Sequence, residues 1–379
     1  MIVMALDHVR DFMHRGAMSF SPTDLGKTTP ILFLTRWITH FCLPVFVFTA
    51  GAGAFLWWRQ RAHTKARFSR FLLTRGVWFV FLELTLMQFS YNFNFSTHNA
   101  VLLLVLWIFG ICFIVMAALV WLPESWLLAL GLAIVFLHNL LDRVQASRFG
   151  AFGWLWNILH QPGVLTPRGT PILITYTLLP WIGVLALGFC FGRILLLEPD
   201  ARRSIMKKMG WPMVAAFFVL RAIDSYGDPA PWSAQKSPVF TALSFLNVTK
   251  YPASLDFLLI TLGPALIVLA YLDRRPLKLS NPLIVFGRVP FFYFVLHLYL
   301  IHAVLAMLSL IRYGARALAF VFLPPPSMGG PQKLFPPDFG YSLPTVYLVW
   351  LVVIVCLYPL CRWYMGVRSR HRAWWLSYL

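Results

Sequence analysis

The stretch SLDFLLITLGPALIVLAYL, residues 254–272, is a continuous apolar run in which Asp256 is the single charged side chain. A helix needs roughly 17–25 predominantly apolar residues to cross a bilayer, and this run has such a length. Asp273, Arg274 and Arg275 follow it directly, as expected for the polar end of a membrane-spanning segment. The run therefore predicts a transmembrane helix, and it raises the question whether the rest of the chain fits a membrane protein.

The composition of the whole chain points the same way. Of the 379 residues, 59% are hydrophobic and only 12% are charged, whereas soluble domains carry about 25% charged residues. The formal net charge of +19 could suggest nucleic acid binding. However, the cations are concentrated in short segments between apolar runs, which is the positive-inside pattern of membrane proteins. We therefore predict no nucleic acid partner and a chain that lies largely in lipid.

Further apolar runs predict additional spans along the chain. The predicted spans are Ile31–Trp58, Phe71–Asn92, Ala100–Leu122, Ser125–Leu141, Pro171–Leu196, Trp211–Ser225, Ser254–Leu272, Pro282–Ile311 and Pro344–Tyr364. A further span would come first, but Met1–Leu6 is too short to cross before the charges from Asp7 onward. Either this first helix is a half-span, or the start codon lies upstream. The sequence predicts an all-α, polytopic membrane bundle of about ten helices with a short or truncated first one.

The loops between the spans predict the orientation of the bundle. Cations are concentrated in four segments, Arg59–Arg75, Arg202–Lys208, Arg274–Lys278 and Arg368–Arg372. The opposite loops are longer and poorer in cations, and they are Arg15–Pro30, Asp142–Thr170, Tyr226–Ala253 and Tyr313–Leu343. The positive-inside rule places the basic side in the cytoplasm. We expect a multi-pass protein of the inner (plasma) membrane with both termini in the cytoplasm.

Polar side chains inside the predicted spans are the candidate functional residues, because such groups are unfavourable at membrane depth. Five histidines map to the middle or outer part of their helices, namely His8, His40, His138, His297 and His302. Other polar groups accompany them at the outer ends, namely Asp11, Asn139, Asp142, Lys250 and Tyr251. Asp11 follows His8 by three positions and Asp142 follows His138 by four, so each pair shares a helix face.

A histidine beside a carboxylate can accept and release a proton near neutral pH. Such a cluster suits a general base for a hydroxyl or amine acceptor, and it equally suits a proton relay in a transporter. A lone buried histidine is more often bonded to a neighbouring hydroxyl or carbonyl group, and the acid–histidine spacings also fit local ion pairs. The residue types alone leave these alternatives open.

The remaining chemistry-bearing residues are cations and cysteines. Arg288 lies inside an apolar run, at FGRVP (286–290), and is a candidate for holding a phosphate-bearing donor from the cytoplasm. The five cysteines lie within or beside apolar segments and lack zinc-ligand spacing. We therefore expect no metal site.

Five stretches of the chain carry a family resemblance. They are MALDHVRDF (4–12), TRWITHFCLPVFVF (35–48), PWIGV (180–184), SFLNVTKYP (244–252) and FGRVPFFY (286–293). In these stretches the chain resembles bacterial relatives of heparan-alpha-glucosaminide N-acetyltransferase. The matches extend to about His302 and cover most of the chain, whereas similarity to the eukaryotic enzyme is confined mainly to the first two helices.

The resemblance implies one transmembrane acyltransferase-like domain, residues 1–379, that transfers an acyl group from cytoplasmic acetyl-CoA to a sugar on the far side of the membrane. The catalytic histidine of the family lies near the first helix and the loop after it, which implies His8 or His14 here. Neither has the eukaryotic spacing, and His40 stands where the eukaryotic proteins tend to have an acidic residue. The family usually has an Arg- and Asp-containing segment before its first helix; its absence ahead of Met1 agrees with a truncated start.

We therefore expect an acetyl-CoA-dependent acyltransferase that modifies a glycan hydroxyl or amine outside the cytoplasm. In this hypothesis His8, helped by Asp11, is the general base or a transient acyl carrier, with His14 and His40 as further catalytic candidates. The expected acceptor-orienting or relay residues are His138, Asn139, Asp142, Lys250, Tyr251, His297 and His302, and Arg288 is expected to bind the donor. The rival hypothesis is a proton-coupled transporter or lipid-handling protein that uses the same His/Asp relay. The expected partners are the bilayer, acyl-CoA and a small extracytoplasmic acceptor, with a homodimer left open.

Overall fold

The computed structural model of the protein describes residues 1–60, 64–95, 100–274 and 277–371. The described chain is predominantly α-helical, and its three β-strands have three residues each. This confirms the all-α class expected from the sequence. Three cations of the expected basic segments, Arg61, Arg275 and Arg372, lie outside the described residues.

Fifteen α-helices are present in the described part of the chain. Their bounds are α1 (Ile2–Met13), α2 (Pro30–Thr39), α3 (Cys42–Gln60), α4 (Lys65–Leu82), α5 (Gln88–Asn92), α6 (Val105–Leu119), α7 (Glu124–Leu137), α8 (Gly153–Leu159), α9 (Leu178–Phe191), α10 (Pro199–Ile223), α11 (Pro238–Leu246), α12 (Leu255–Leu272), α13 (Pro282–Arg288), α14 (Pro290–Tyr313) and α15 (Leu343–Arg370). Every expected span overlaps at least one of these helices.

Seven helical stretches among the described residues are long and apolar enough to cross a membrane. They are Pro30–Gln60, Lys65–Asn92, Glu124–Leu141, Leu178–Leu196, Leu255–Leu272, Pro290–Ala319 and Leu343–Arg370. Three further expected spans correspond to α1, which has 12 residues, α6, which has 15, and α10, whose first half is strongly charged. The protein is a multi-pass membrane protein of α-helices.

Two of the expected spans are broken. The span Ile31–Trp58 forms α2, which ends before His40, and α3, which begins after Phe41. The span Pro282–Ile311 forms α13 and α14. The second break falls at Val289, whose φ of −129° and ψ of 50° are non-helical. Proline disfavours helical geometry in the residue before it, and Pro290 follows Val289 directly.

A small sheet replaces the beginning of two expected spans. Strands β1 (Val101–Leu103), β2 (Gly163–Leu165) and β3 (Ile172–Ile174) form it in the order β1-β3-β2. β1 pairs in parallel with β3, with Val101 opposite Ile172, and β2 pairs antiparallel with β3. The expectation of helix from Ala100 and from Pro171 was therefore wrong for these residues, because a short apolar run suits a buried strand as well as a helix.

The described residues form two compact units. The first comprises the described parts of residues 1–39, 85–100 and 276–379. In it α1 packs against α2, α14 and α15, and α15 also packs against α13 and α14. Phe12, Tyr293 and Ile301 are fully buried, whereas Ile311 and Val355 are 75% and 70% exposed. Large apolar side chains exposed on long helices are expected where lipid covers them.

The second unit comprises the described parts of residues 40–84 and 101–275. It is built from closely packed helix pairs: α3 with α9, α4 with α6, α7 with α9, and α10 with α12. Glycine permits the closest approach, since a Cβ on Gly51 would collide with the Leu185 carbonyl oxygen and one on Gly188 with the Phe48 carbonyl oxygen. Small residues at helix crossings are a general device of membrane proteins.

A buried carboxylate supplies the missing cap of α6. Leu104 precedes this helix and has no side chain that can accept its first N–H groups. Glu83, which is 0% exposed, begins a π-helical turn at the end of α4. Its Oε2 accepts hydrogen bonds from the backbone N–H groups of Leu106 at 2.7 Å and Trp107 at 3.0 Å. A carboxylate at this end is favoured by the helix dipole, so Glu83, the deep carboxylate of its span, has a structural partner in α6.

Candidate functional site

The first helix brings one of the expected catalytic histidines to a second histidine. His8 of α1 is half-buried, and its ring lies edge-on to that of His297 of α14, with 5.0 Å between ring centroids and 63° between ring planes. His297 is 0% exposed and also stacks on Tyr293 at 5.4 Å. The structure therefore joins a residue expected to be catalytic to one expected to act as a relay.

The hydrogen bonds of His297 define its tautomer. Its Nδ1 lies 3.1 Å from the carbonyl oxygen of Tyr293, and a carbonyl oxygen only accepts, so Nδ1 carries the hydrogen. In the neutral ring Nε2 then has a lone pair. This atom is buried and has no hydrogen-bond partner among the described residues. Nε2 can therefore accept a hydrogen bond from a group that enters the site.

The acidic partner expected for His8 is engaged elsewhere. Asp11 forms an ion pair with Arg10 at 2.8 Å. Arg10 also pairs with Asp7 at 2.7 Å, and the other oxygen of Asp7 forms a close ion pair with Arg36 of α2. The guanidinium of Arg10 is only 1% exposed. These alternating charges connect α1 to α2 and hold the segment that carries His8.

Two further histidines of this unit bond to the backbone. The Nδ1 and Nε2 atoms of His302 each lie 2.8 Å from a carbonyl oxygen, that of Ser90 and that of Val321 respectively. Its ring stacks on Phe93, with 3.9 Å between centroids. His14 ends α1, and its Nδ1 accepts a hydrogen bond from the Gly16 N–H at 3.1 Å. Both arrangements organise the backbone around them.

His14 is held in its neutral form by its surroundings. Burial, followed by the positive charges of Arg10 and Arg15, lowers the pKa of its imidazole below the usual value. A neutral ring keeps the lone pair that the Gly16 N–H requires. His14 therefore caps the start of the short 3₁₀ turn Arg15–Met18 that follows α1, and it is also a catalytic candidate.

The second unit contains a separate polar network around the end of α7. Asn139 donates a hydrogen bond to Asp142 Oδ2 at 2.7 Å and accepts one from the Leu255 N–H at 2.9 Å. His138 has Nε2 2.8 Å from the Ala253 carbonyl oxygen and Nδ1 3.0 Å from that of Ile134. Three of the expected relay residues therefore lie together, and they tie α7 to the start of α12.

His160 completes this network and was not singled out from the sequence. Its Nε2 lies 2.9 Å from Asp142 Oδ1, and the residue is 2% exposed. Its ring centroid is 5.9 Å from that of His138. When Nε2–H donates to the carboxylate, Nδ1 of the neutral ring carries the lone pair. The signal in the sequence is weak, because His160 lies 18 residues beyond Asp142 in an expected loop.

Lys250 and Tyr251 lie beside another tyrosine. The Tyr251 hydroxyl is 3.3 Å from that of Tyr176, and Lys250 Nζ is 5.2 Å from the centre of the Tyr251 ring. The loop that carries them is fixed by Arg221, whose guanidinium is 1% exposed. It donates to carbonyl oxygens of that loop, including those of Ala230 at 2.8 Å and Phe245 at 3.0 Å. Arg221 was likewise not singled out, although a lone arginine in an apolar run is a signal for such a role.

The remaining candidates lie in different settings. His40 is 4% exposed, and its ring lies 5.4 Å from that of Phe257. Arg288 ends α13 with an exposed side chain, and its carbonyl oxygen accepts a hydrogen bond from Arg368 at 2.9 Å. Among the described residues, no group of three or more His, Cys, Asp and Glu side chains could hold a metal ion.

The expected site residues thus fall into two sets. The first unit holds His8, Asp11, His14, Arg288, His297 and His302, and the second holds His40, His138, Asn139, Asp142, Lys250 and Tyr251. Within each unit these histidines are buried or half-buried.

Comparison with known proteins identifies a family that matches the chain. The family model described as heparan-alpha-glucosaminide N-acetyltransferase, catalytic, matches residues 3–223. No curated protein and no solved structure matches the chain. The match covers more than half of the chain and includes His8, Asp11 and all of α1 except its first residue, Ile2. The chain belongs to the heparan-alpha-glucosaminide N-acetyltransferase catalytic family.

Proposed function

We propose that the protein is a membrane acyltransferase that takes an acyl group, most simply acetyl, from cytoplasmic acyl-CoA and transfers it to a hydroxyl or amine of an extracytoplasmic glycan. The family match supports the reaction class. The observation that carries the proposal is the pair of a half-buried His8 and a buried His297, because acyl transfer can use an accessible imidazole as general base or nucleophile. In this proposal the protein lies in the inner membrane of a bacterium with both termini in the cytoplasm.

His8 is the catalytic residue in the proposal. It is the more accessible member of the pair, so it is the one that can meet an acyl thioester or an acceptor. As a general base, a ring nitrogen of His8 would take the proton of the acceptor while the acceptor oxygen or nitrogen attacks the thioester carbonyl and CoA leaves as the thiolate. As an acyl carrier, the same nitrogen would attack the thioester first, release CoA thiolate, and pass the acyl group to the acceptor.

His297 is a positioning residue in the proposal. Its Nδ1–H is committed to the Tyr293 carbonyl oxygen, which fixes the ring plane against His8. The Asp7–Arg10–Asp11 chain of ion pairs holds the backbone of α1. A separate proton-relay role within the second unit is proposed for the other polar network, with Asp142 and His160.

The test uses purified protein, acyl-labelled acetyl-CoA and a panel of glucosamine-containing acceptors. We expect label transfer that falls by about 10²–10⁴-fold in His8→Ala, the range of general acid–base catalysis. His14→Ala is the matched control in the same segment, since it removes the other first-helix candidate. Transfer unchanged in His8→Ala but lost in His14→Ala would assign the reaction to His14 and remove His8.

Omitting the acceptor separates the two routes. Label that remains on the protein and is released by hydroxylamine would indicate an acyl-imidazole on His8. If the His8→Ala protein retains as much label as the wild type, or if the wild type retains no label, direct transfer is favoured. Uptake or efflux that follows a pH gradient and needs no acyl-CoA would overturn the acyltransferase and support the proton-coupled transporter.

A further inference from the structure

A basic cleft lies where α10 begins, in the second unit. It has a volume of about 280 Å³ and is lined by Asp200, Arg203, Ser204, Lys207, Lys208 and Arg274. Four of these six side chains are cations and one is an acid. This excess of positive over negative charge inside a concave site, rather than the number of cations alone, requires an explanation.

Helical spacing brings these residues together. Arg203 and Lys207 are four positions apart on α10, and Ser204 and Lys207 are three apart, so their side chains share one face. Arg274 follows the end of α12, which packs against α10. Lys207 also contacts this second helix, since its Nζ lies 4.8 Å from the centre of the Tyr271 ring. The cleft is therefore built from two packed elements of the fold.

The nearby carboxylates neutralise only part of the cleft. Asp273 is bound by Arg202 through two hydrogen bonds of 2.7 and 3.0 Å, and it also lies 3.7 Å from the guanidinium of Arg203. Asp200 pairs with Arg203, although its own side chain is 99% exposed. Among the described residues, no carboxylate lies within ion-pair distance of Lys207, Lys208 or Arg274. These three positive charges converge without counterions.

Arg203 pairs with Asp200 and Asp273, but one of its N–H groups lacks an acceptor. Its side chain is 17% exposed, and its Nε is buried without a hydrogen-bond partner among the described residues. Buried N–H donors in proteins nearly always have an acceptor. Guanidinium, ammonium and hydroxyl donors around a small concave space match the oxygens of a phosphate group.

We propose that this cleft binds a phosphate group, carried either by an anionic phospholipid or by the nucleotide part of an acyl-CoA. Both ligands would reach it from the membrane surface that the positive-inside rule assigns to the cytoplasm. The phospholipid form of the proposal stands without acyl transfer, whereas the nucleotide form rests on the proposed function. Neither form uses the histidine pair.

The experiment measures binding by the purified full chain to two separate probes. One is adenosine 3′,5′-bisphosphate, which carries nucleotide phosphates but no thiol, and the other is a phosphatidylcholine vesicle with added phosphatidylglycerol. The test variant is Lys207→Gln with Arg274→Gln. The matched control is Arg67→Gln with Arg70→Gln, two exposed arginines of α4 in another basic segment.

We expect the cleft variant to bind one of the probes about tenfold more weakly, and the control to change by less than about twofold. If the cleft variant loses binding of the bisphosphate only, the ligand of the cleft is a nucleotide. If it loses binding of the phosphatidylglycerol vesicle only, the ligand is a lipid. The charge-preserving pair Lys207→Arg with Arg274→Lys should retain binding, and an unchanged thermal unfolding midpoint shows that each variant is folded.

Equal losses in the cleft and control variants would show that only general surface charge is involved, and this would overturn the proposal. Failure of the wild-type chain to bind either probe would also overturn it. Because binding is measured without turnover, a failed acyl-transfer assay beside intact cleft-dependent binding would reject the proposed function and leave the cleft assigned.

Discussion

His297 holds its imidazole edge-on to that of His8, with 5.0 Å between the ring centroids, and keeps Nε2 buried without a partner among the described residues. The first residue lies in α14 and the second in α1, so nearly 290 positions of chain separate two rings that touch. His297 is fixed through Nδ1 by the Tyr293 carbonyl oxygen. An orientation this constrained predicts measurable consequences for both members of the pair.

Replacing His297 should impair acyl transfer without unfolding the protein. In His297→Phe the aromatic packing on Tyr293 is kept and both nitrogens are lost, whereas His297→Gln keeps a donor for the Tyr293 carbonyl oxygen. We expect kcat to fall by about 10²-fold in both, at the lower end of the range for acid–base groups, because His297 acts through His8. The measurement is kcat against pH with labelled acetyl-CoA.

A control on the same helix distinguishes this effect from general damage. Tyr299→Phe removes one hydrogen bond, from the Tyr299 hydroxyl to the Leu86 carbonyl oxygen at 2.7 Å, and leaves the histidine pair intact. It should change kcat by less than about fivefold, the rate equivalent of one hydrogen bond of about 1 kcal/mol. If both His297 variants kept the wild-type rate and pH profile, the pair would have no part in the reaction.

The broad fold was predictable from the sequence, but its interruptions were only partly so. Apolar runs located the helices because length and hydropathy are sufficient for a membrane span. The break at Val289 had a signal, since Pro290 follows it. The strands Val101–Leu103 and Ile172–Ile174 had no signal in the sequence, because three apolar residues next to an apolar helix have no periodicity of their own.

The candidate site was predictable as a set of residues but not as a set of contacts. Spacing suggested that Asp11 serves His8, but Arg10 lies beside Asp11 and pairs with it instead. The contact between His8 and His297 depends on how distant helices pack, which no local pattern encodes. For the same reason spacing did not indicate that Asp142 bonds to His160.

The Asp7 carboxylate should make a large contribution to stability. It bonds to Arg10, which is 1% exposed, and pairs closely with Arg36. Asp7→Asn leaves both guanidinium groups without their shared anion, and breaking a buried ion pair typically lowers the free energy of unfolding by about 3–5 kcal/mol. We expect a clear drop in the thermal unfolding midpoint in detergent.

An exposed ion pair provides the control for Asp7. Asp338 bonds to Arg312 at 2.7 Å, but its side chain is 63% exposed. Asp338→Asn should lower the free energy of unfolding by no more than about 1 kcal/mol, the usual range of surface pairs. Equal midpoints for the two variants would contradict the structural role assigned to Asp7.

Close packing of α3 against α9 should fail when Gly188 is enlarged. A Cβ at this position would overlap the backbone carbonyl group of Phe48. Gly188→Leu is therefore expected to lower the unfolding midpoint or prevent folding, since rigid backbone cannot move aside as a side chain can. Gly53→Leu is the control, because a Cβ on Gly53 of α3 meets nothing within 4 Å. A Gly188→Leu protein as stable as Gly53→Leu would contradict the observed crossing.

The imidazole of His14 should make stability depend on pH below neutrality. Burial and the charges of Arg10 and Arg15 lower its pKa in the folded protein, whereas in the unfolded chain it titrates near pH 6.5. The unfolded state therefore binds more protons as the pH falls, so the stability contribution is complete above about pH 6.5 and decreases below it. His14→Asn retains an oxygen that can accept from the Gly16 N–H but does not titrate.

The unfolding midpoints of wild type and His14→Asn should therefore diverge in their pH dependence between about pH 7 and pH 5. Over this interval the wild type should lose more stability than the variant, because only the wild type carries an imidazole that must remain neutral. His371→Asn, at an exposed histidine after α15, should follow the wild-type curve. Parallel curves for wild type and His14→Asn would show that the end of α1 accepts a protonated ring, and that Nδ1 is not required as the acceptor of the Gly16 N–H.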